Sequence, residues 1–176
     1  VVGPGTIGAV VGKRLQAVFE MEVVYYCRKR NLEFEAQTGG RWVILEELLQ
    51  AAEVVTLHVP LTPETRHLIG ERELAMMKPT AILINTARGP IVEEAALLKA
   101  LETKQIWGAA LDVCEDWREL RRLNNVILTP HIASATEEAR EEMGRLAVGG
   151  IMKVLQGEKP ENLVNPEVWK NSDNRS

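Results

Sequence analysis

Short apolar runs and longer amphipathic stretches alternate along the chain. The runs Glu22–Cys27, Glu53–Val59, Ala81–Asn85, Gly108–Val113 and Val126–Leu128 are rich in Val, Ile and Leu and show little polar alternation. Runs of that kind form strands buried on both faces, as in a parallel sheet. Between them, Ile7–Val18, Leu45–Ala52, Glu71–Met77 and Glu93–Thr103 carry helical spacing, and a long helix is expected over Thr136–Leu155. Its apolar positions Ala139, Met143, Leu146, Ala147, Ile151 and Leu155 keep that spacing, and Glu137, Glu138, Glu141 and Glu142 suit the positive end of its dipole. The alternation predicts an α/β fold, a doubly wound parallel sheet of Rossmann type. The chain opens on Val1-Val2 directly before a glycine-rich turn, so the first strand is expected to be truncated and the chain to be part of a longer protein. We place a dinucleotide-binding domain at 1–156 and a polar C-terminal segment or tail at 157–176.

Composition narrows the picture. Of 176 residues, 45% are hydrophobic and 26% charged, an ordinary globular balance, and no apolar run is long enough to span a membrane. With 25 acids against 21 bases the net charge is -4, which argues against nucleic-acid or anionic-membrane partners. Two cysteines without metal-ligand spacing fit a reducing, cytoplasmic setting.

Gly3-Pro4-Gly5-Thr6-Ile7-Gly8 fits G-x-G-x-x-G. In that pattern the first glycine makes the tight turn, the second lets backbone approach a pyrophosphate, and the third lets helix pack on strand. The alternative is a plain glycine-rich turn, but here the pattern follows an apolar pair and opens an amphipathic helix. An NAD site places an acid after the second strand. This strand ends at Cys27 and runs into Arg28-Lys29-Arg30, bases that suit a 2′-phosphate. Expected cofactors are therefore NADP by preference, or NAD. A solvated basic turn is the alternative.

Three polar groups stand at strand ends: Arg88 after Ala81–Asn85, Asp112 at the end of Gly108–Val113, and His131 after Val126–Leu128. Ligands bind at that edge of open α/β sheets. Arg suits a carboxylate, and His suits proton transfer near neutral pH. A structural role is expected for His58, and His67 is read as a surface residue in a polar helical stretch.

These residues, with "LHVPLTPETRHLIG" at 57–70, "INTARGPIVEEAAL" at 84–97, "GAALDV" at 108–113 and "LTPHIASAT" at 128–136, resemble the D-isomer-specific 2-hydroxyacid dehydrogenases. "GEKPENLVNPEVW" at 157–169 is most similar to the glyoxylate and hydroxypyruvate reductase branch. The resemblance implies that Arg88 holds a small 2-oxoacid and His131 acts as general acid. It further implies that Asp112 binds the nicotinamide carboxamide, with Ser134 or Ala133 nearby. Gly3, Gly5, Thr6, Ile7 and Gly8 would line the pyrophosphate. Cys27, Arg28, Lys29, Val59, Pro60 and Thr62 would meet the adenosine side, and Thr86 and Ala87 the cofactor beside Arg88. The family places a Glu after the Asp to pair with the His. The loop here is short, and Glu115 is the best candidate, with Asp116 or Glu119 as alternatives. A homodimer is expected, with apolar surface at Trp107 and along Glu93–Thr103. Two other readings use the same residues: a non-catalytic, nucleotide-sensing corepressor-like member, and a phosphite-type dehydrogenase suggested by "EDW" at 115–117.

Overall fold

The computed structural model describes residues 1–170. In chain order its elements are α1 (Thr6–Phe19), β1 (Val24–Tyr25), α2 (Leu32–Thr38), β2 (Arg41–Trp42), α3 (Leu45–Ala51), β3 (Val54–Leu57), α4 (Glu71–Met76), β4 (Ile82–Asn85), α5 (Glu94–Glu102), β5 (Gly108–Leu111), α6 (Trp117–Leu120), β6 (Val126–Leu128), α7 (Glu137–Leu155) and α8 (Glu167–Lys170). A single 3-10 turn, Gly89–Ile91, follows β4. The chain divides into two compact units, Val1–His131 and Ile132–Ser176. The sequence reading put the boundary at 156. The structure groups α7 with the C-terminal segment, and no residue of α7 is buried.

The first unit is a parallel sheet with helices between its strands. Strands β3, β4, β5 and β6 pair in that order, and β1 pairs with β2. Val2 joins the two groups by parallel bridges to Tyr26 and Leu57, so the spatial order is β2-β1-Val2-β3-β4-β5-β6. At the centre the first residues of the chain take the place of a strand, bridging on both sides through Val2. The register runs Val54↔Ile82↔Gly108 through Leu57↔Asn85↔Leu111, which brings the carboxyl ends of β3, β4 and β5 level.

The sheet holds because its strands are apolar on both faces. Leu48, Leu49, Val55, Leu57, Ile69, Leu74, Leu83, Leu97, Leu101 and Ile106 are fully or nearly fully buried in one cluster. A second cluster forms where Tyr25 meets Phe34 edge to face, centroids 5.0 Å apart. Gly12 makes room for it: a side chain there would come within 2.7 Å of the Phe34 ring.

Four expectations change. The strand foreseen over Glu22–Cys27 pairs only at Val24–Tyr25, with a bridge at Tyr26. Helix α2 and strand β2 fill a stretch that the apolar pattern left unassigned; each is short, and β2 exposes both its residues. His67 is not helical. It takes a left-handed backbone, φ 53°, and donates its N–H to the Pro90 carbonyl at 2.8 Å, so a tertiary bond overrides the local polar pattern. In the C-terminal segment, α8 adds a short helix within the expected tail, whose residues 171–176 lie outside the described residues.

Candidate active site

The glycine turn is shaped by close contacts. Gly3 has φ +84°, donates its N–H to the Tyr26 carbonyl, and leaves no room for a side chain, since a Cβ would meet Val59 Cγ1 at 2.6 Å. Gly8 packs the helix onto the turn, where a Cβ would lie 2.4 Å from the Gly3 carbonyl oxygen. Gly5 differs from both. A Cβ there meets nothing within 4 Å, so the space above the α1 N-terminus is open. No side chain caps that N-terminus, and Thr6, Ile7 and Gly8 head the helix with their N–H groups beyond the reach of intrahelical acceptors. Tight backbone below, open space above and amide donors aimed into it fit a pyrophosphate. Beneath the turn, His58 is half-buried, its Nε2 is 2.9 Å from Thr56 Oγ1, and burial pushes its pKa down. It is a packing residue, as anticipated.

The turn after β1 carries the three bases. Cys27 donates its S–H to the Lys29 carbonyl, and Trp42 Nε1 donates to the Cys27 carbonyl at 3.1 Å. Burial pushes the Cys27 thiol up, so it stays neutral. Arg28 and Lys29 are exposed, and neither makes an ion pair among the described residues. Arg30 is bound bidentately to Glu35, at 2.7 and 2.8 Å. Across from this turn, the 59–65 loop is closed on itself: Thr62 N–H donates to Thr65 Oγ1, which donates to the Pro60 carbonyl. Glu64 in that loop has its pKa lowered first by the Thr62 side chain and, to a smaller extent, by the charge of Arg28.

Arg88, Asp112 and His131 do converge. They line one cavity of about 550 Å³ with Pro90, Trp117 and Thr129, at the carboxyl ends of β4, β5 and β6. Asn85, the buried last residue of β4, shapes the loop that leads to Arg88. Its side chain accepts from Ala87 N–H and donates to the Arg88 carbonyl, both at 3.0 Å, fixing Thr86, Ala87 and Arg88 in a tight loop. Arg88 is exposed and donates Nη1 to the Ala87 carbonyl at 2.6 Å. Gly89 must follow, because a Cβ there would approach Cys114 backbone at 3.0 Å. Asp112 is buried and accepts from Thr129 Oγ1 at 2.5 Å, tying β5 to the loop after β6. His131 sits in a left-handed conformation, φ 56°, with its N–H donated across Pro130 to the Thr129 carbonyl at 3.0 Å.

The acid after Asp112 is placed less directly. Asp116 caps α6 and pairs with Arg118, and Glu119 pairs with Arg122. Of the three candidates only Glu115 keeps its carboxylate out of such pairs, yet it does not line the cavity. Its N–H and that of Asp116 are both held by the Glu94 carboxylate, at 2.7 and 2.8 Å. Ser134 is exposed and belongs to the second unit. Sequence reasoning overlooked Asn85, Glu94 and Thr129 as positioning residues. The one available signal was a polar residue, Asn85, ending an otherwise apolar run.

A glycine-rich turn at a helix N-terminus, central in a parallel sheet whose strand ends carry Arg88, Asp112 and His131, defines a dinucleotide-binding domain of the Rossmann type. Residues 1–133 match the family described as D-isomer specific 2-hydroxyacid dehydrogenase, NAD binding domain, and the chain belongs to that family. It is 48% identical to a glyoxylate reductase of Thermococcus litoralis, over 98% of this chain and 53% of that protein. With the glyoxylate reductase of Thermococcus gammatolerans the identity is 49%, over 97% and 52%. Among solved structures, the NAD-complexed D-isomer specific 2-hydroxyacid dehydrogenase of Lactobacillus delbrueckii ssp. bulgaricus superposes with a TM-score of 0.86 at 34% identity, covering 93% of this chain and 54% of that one. The chain therefore spans about half the length of the relatives it matches. No helix among the described residues is long and apolar enough to cross a membrane.

Proposed function

We propose that this chain is the cofactor half of an NADPH-preferring reductase of small 2-oxoacids, glyoxylate or hydroxypyruvate, forming D-2-hydroxyacids. The observation that carries the reading is the convergence of Arg88, Asp112 and His131 on one cavity. Arg88 presents a planar fork to the substrate's carboxylate and carbonyl oxygen. His131 gives its proton to that carbonyl oxygen as the carbonyl is reduced, and takes it back in the reverse direction. When bound, the reduced nicotinamide supplies hydride to the carbonyl carbon. Gly3, Gly5, Thr6, Ile7 and Gly8 hold the pyrophosphate, and Asp112 orients the carboxamide from its buried position. Val59, Pro60 and Thr62 flank the adenosine. Arg28 and Lys29 meet the 2′-phosphate. Glu115 remains the candidate to pair with His131. We further propose a homodimer built on this domain, using Trp107, whose side chain is 65% exposed, and a cytoplasmic setting for its two free thiols.

The test is steady-state reduction of glyoxylate and hydroxypyruvate by a protein of the relatives' full length, with NADPH and NADH at fixed ionic strength. One charge-assisted contact to the 2′-phosphate gives about tenfold or more in kcat/KM for NADPH. Arg28→Ala is expected to remove most of it. Turnover of neither acid would overturn the substrate reading, and equal use of the two cofactors would overturn the NADPH preference.

A further inference from the structure

Arg30 is the third base of a turn that otherwise offers its charges to solvent, and it alone is neutralised. Its guanidinium is forked onto Glu35 of α2. That carboxylate also accepts from the buried Tyr25 hydroxyl at 2.6 Å, and the hydroxyl in turn accepts from Asn31 N–H at 2.8 Å. Asn31 completes the set. Its Oδ1 caps α2 at Phe34 N–H, and its Nδ2 donates to the carbonyl of Pro4 in the glycine turn at 3.1 Å. The end of β1, the basic turn, α2 and the glycine turn are therefore one hydrogen-bonded unit.

We infer that Glu35 is a cofactor-specificity residue: it pins the turn and cancels the charge of Arg30, leaving Arg28 and Lys29 as the 2′-phosphate site. This rests on the dinucleotide-binding reading above. A neutral pair near a bound 2′-phosphate adds no net charge, whereas either partner alone adds one full charge next to a dianion. Glu35 tunes the site without touching the ligand.

Calorimetric titration of this chain with 2′,5′-ADP, and with ADP as the probe lacking the 2′-phosphate, tests the inference. Glu35→Gln keeps an acceptor for Tyr25 and is expected to bind 2′,5′-ADP about three- to tenfold more tightly, a gain that shrinks with added salt. Arg30→Gln is expected to weaken it by a similar factor. The double variant returns to the parent value, and ADP binding stays the same throughout, which also reports that each variant is folded. A double variant that binds 2′,5′-ADP as weakly as Arg30→Gln would make Arg30 a direct phosphate ligand and overturn the inference. So would no change in either single variant. A parent that binds neither probe would overturn the dinucleotide-binding reading itself, and this inference with it.

Discussion

Backbone conformation and partner decide what single residues do here. Glu20 ends α1 in a left-handed conformation, φ 54°, a position that favours glycine. A non-glycine residue costs about 1–2 kcal/mol there, partly offset by the extra freedom glycine loses on folding. Glu20→Gly is therefore expected to stabilise the chain by about 0.5–1 kcal/mol, read from urea denaturation; a loss of stability would contradict the assignment. Glu35 gives a pH signature. Hydrogen bonds from Arg30 first, and then from Tyr25, hold its carboxyl down to about 2 from an ordinary 4.5. The unfolded chain takes up that proton first as pH falls. The stabilising contribution is thus fully present above about 4.5 and is lost as pH drops towards about 2. Stability measured across that window is expected to fall less steeply in Glu35→Gln than in the parent, and identical slopes would show that the ion pair does not form.

Positioning happens at the level of elements. Strand β4 delivers Arg88 only because Asn85 folds the next three residues into a loop, and both of its amide bonds are made at a nearly inaccessible site. Asn85→Ala would strand the Ala87 N–H and the Arg88 carbonyl. The expected cost is about 1–3 kcal/mol, with KM for the 2-oxoacid raised and cofactor affinity little changed. Unchanged KM and stability would contradict it. The elements most legible in the sequence were those with regular apolar spacing: α1, α3, α4, α5, α7, β3, β4, β5 and β6 lie within a residue or two of their apolar patterns. Asp112 and His131 were legible as strand-end residues, Asp112 because it closes its apolar run and His131 because it follows its own through Thr129-Pro130. What was not legible depends on tertiary contact. Strand β2 is two exposed residues that pair with β1 in space, α2 buries only Phe34 and Thr38, and His67 is turned by a bond to Pro90. The placement of Glu115 belongs with these, since Glu94 holds the loop that carries it, and the sequence offers no sign of that clamp.

For the whole molecule, the sheet is a scaffold that sets one edge against a ligand. Level carboxyl ends of β3, β4 and β5, with β6 alongside, put the glycine turn, Arg88, Asp112 and His131 on that edge. Arg88 and His131 are exposed, and the proposed reduction of a small 2-oxoacid requires that water be excluded and the acid be held from the other side. The chain alone is therefore expected to bind cofactor and to turn over little. Sedimentation at micromolar concentration is expected to give a dimer mass for a protein of the relatives' full length, and a monomer would contradict the proposed pairing. His131 carries the proposed chemistry most directly. In a protein of the relatives' full length, His131→Ala is expected to lower kcat for the preferred 2-oxoacid by about a hundredfold or more, while the affinity for NADPH stays within about twofold of the parent. Near-normal turnover in that variant would contradict the assignment of His131 as the proton donor, and with it the reading of the strand-end cavity as a reductase site.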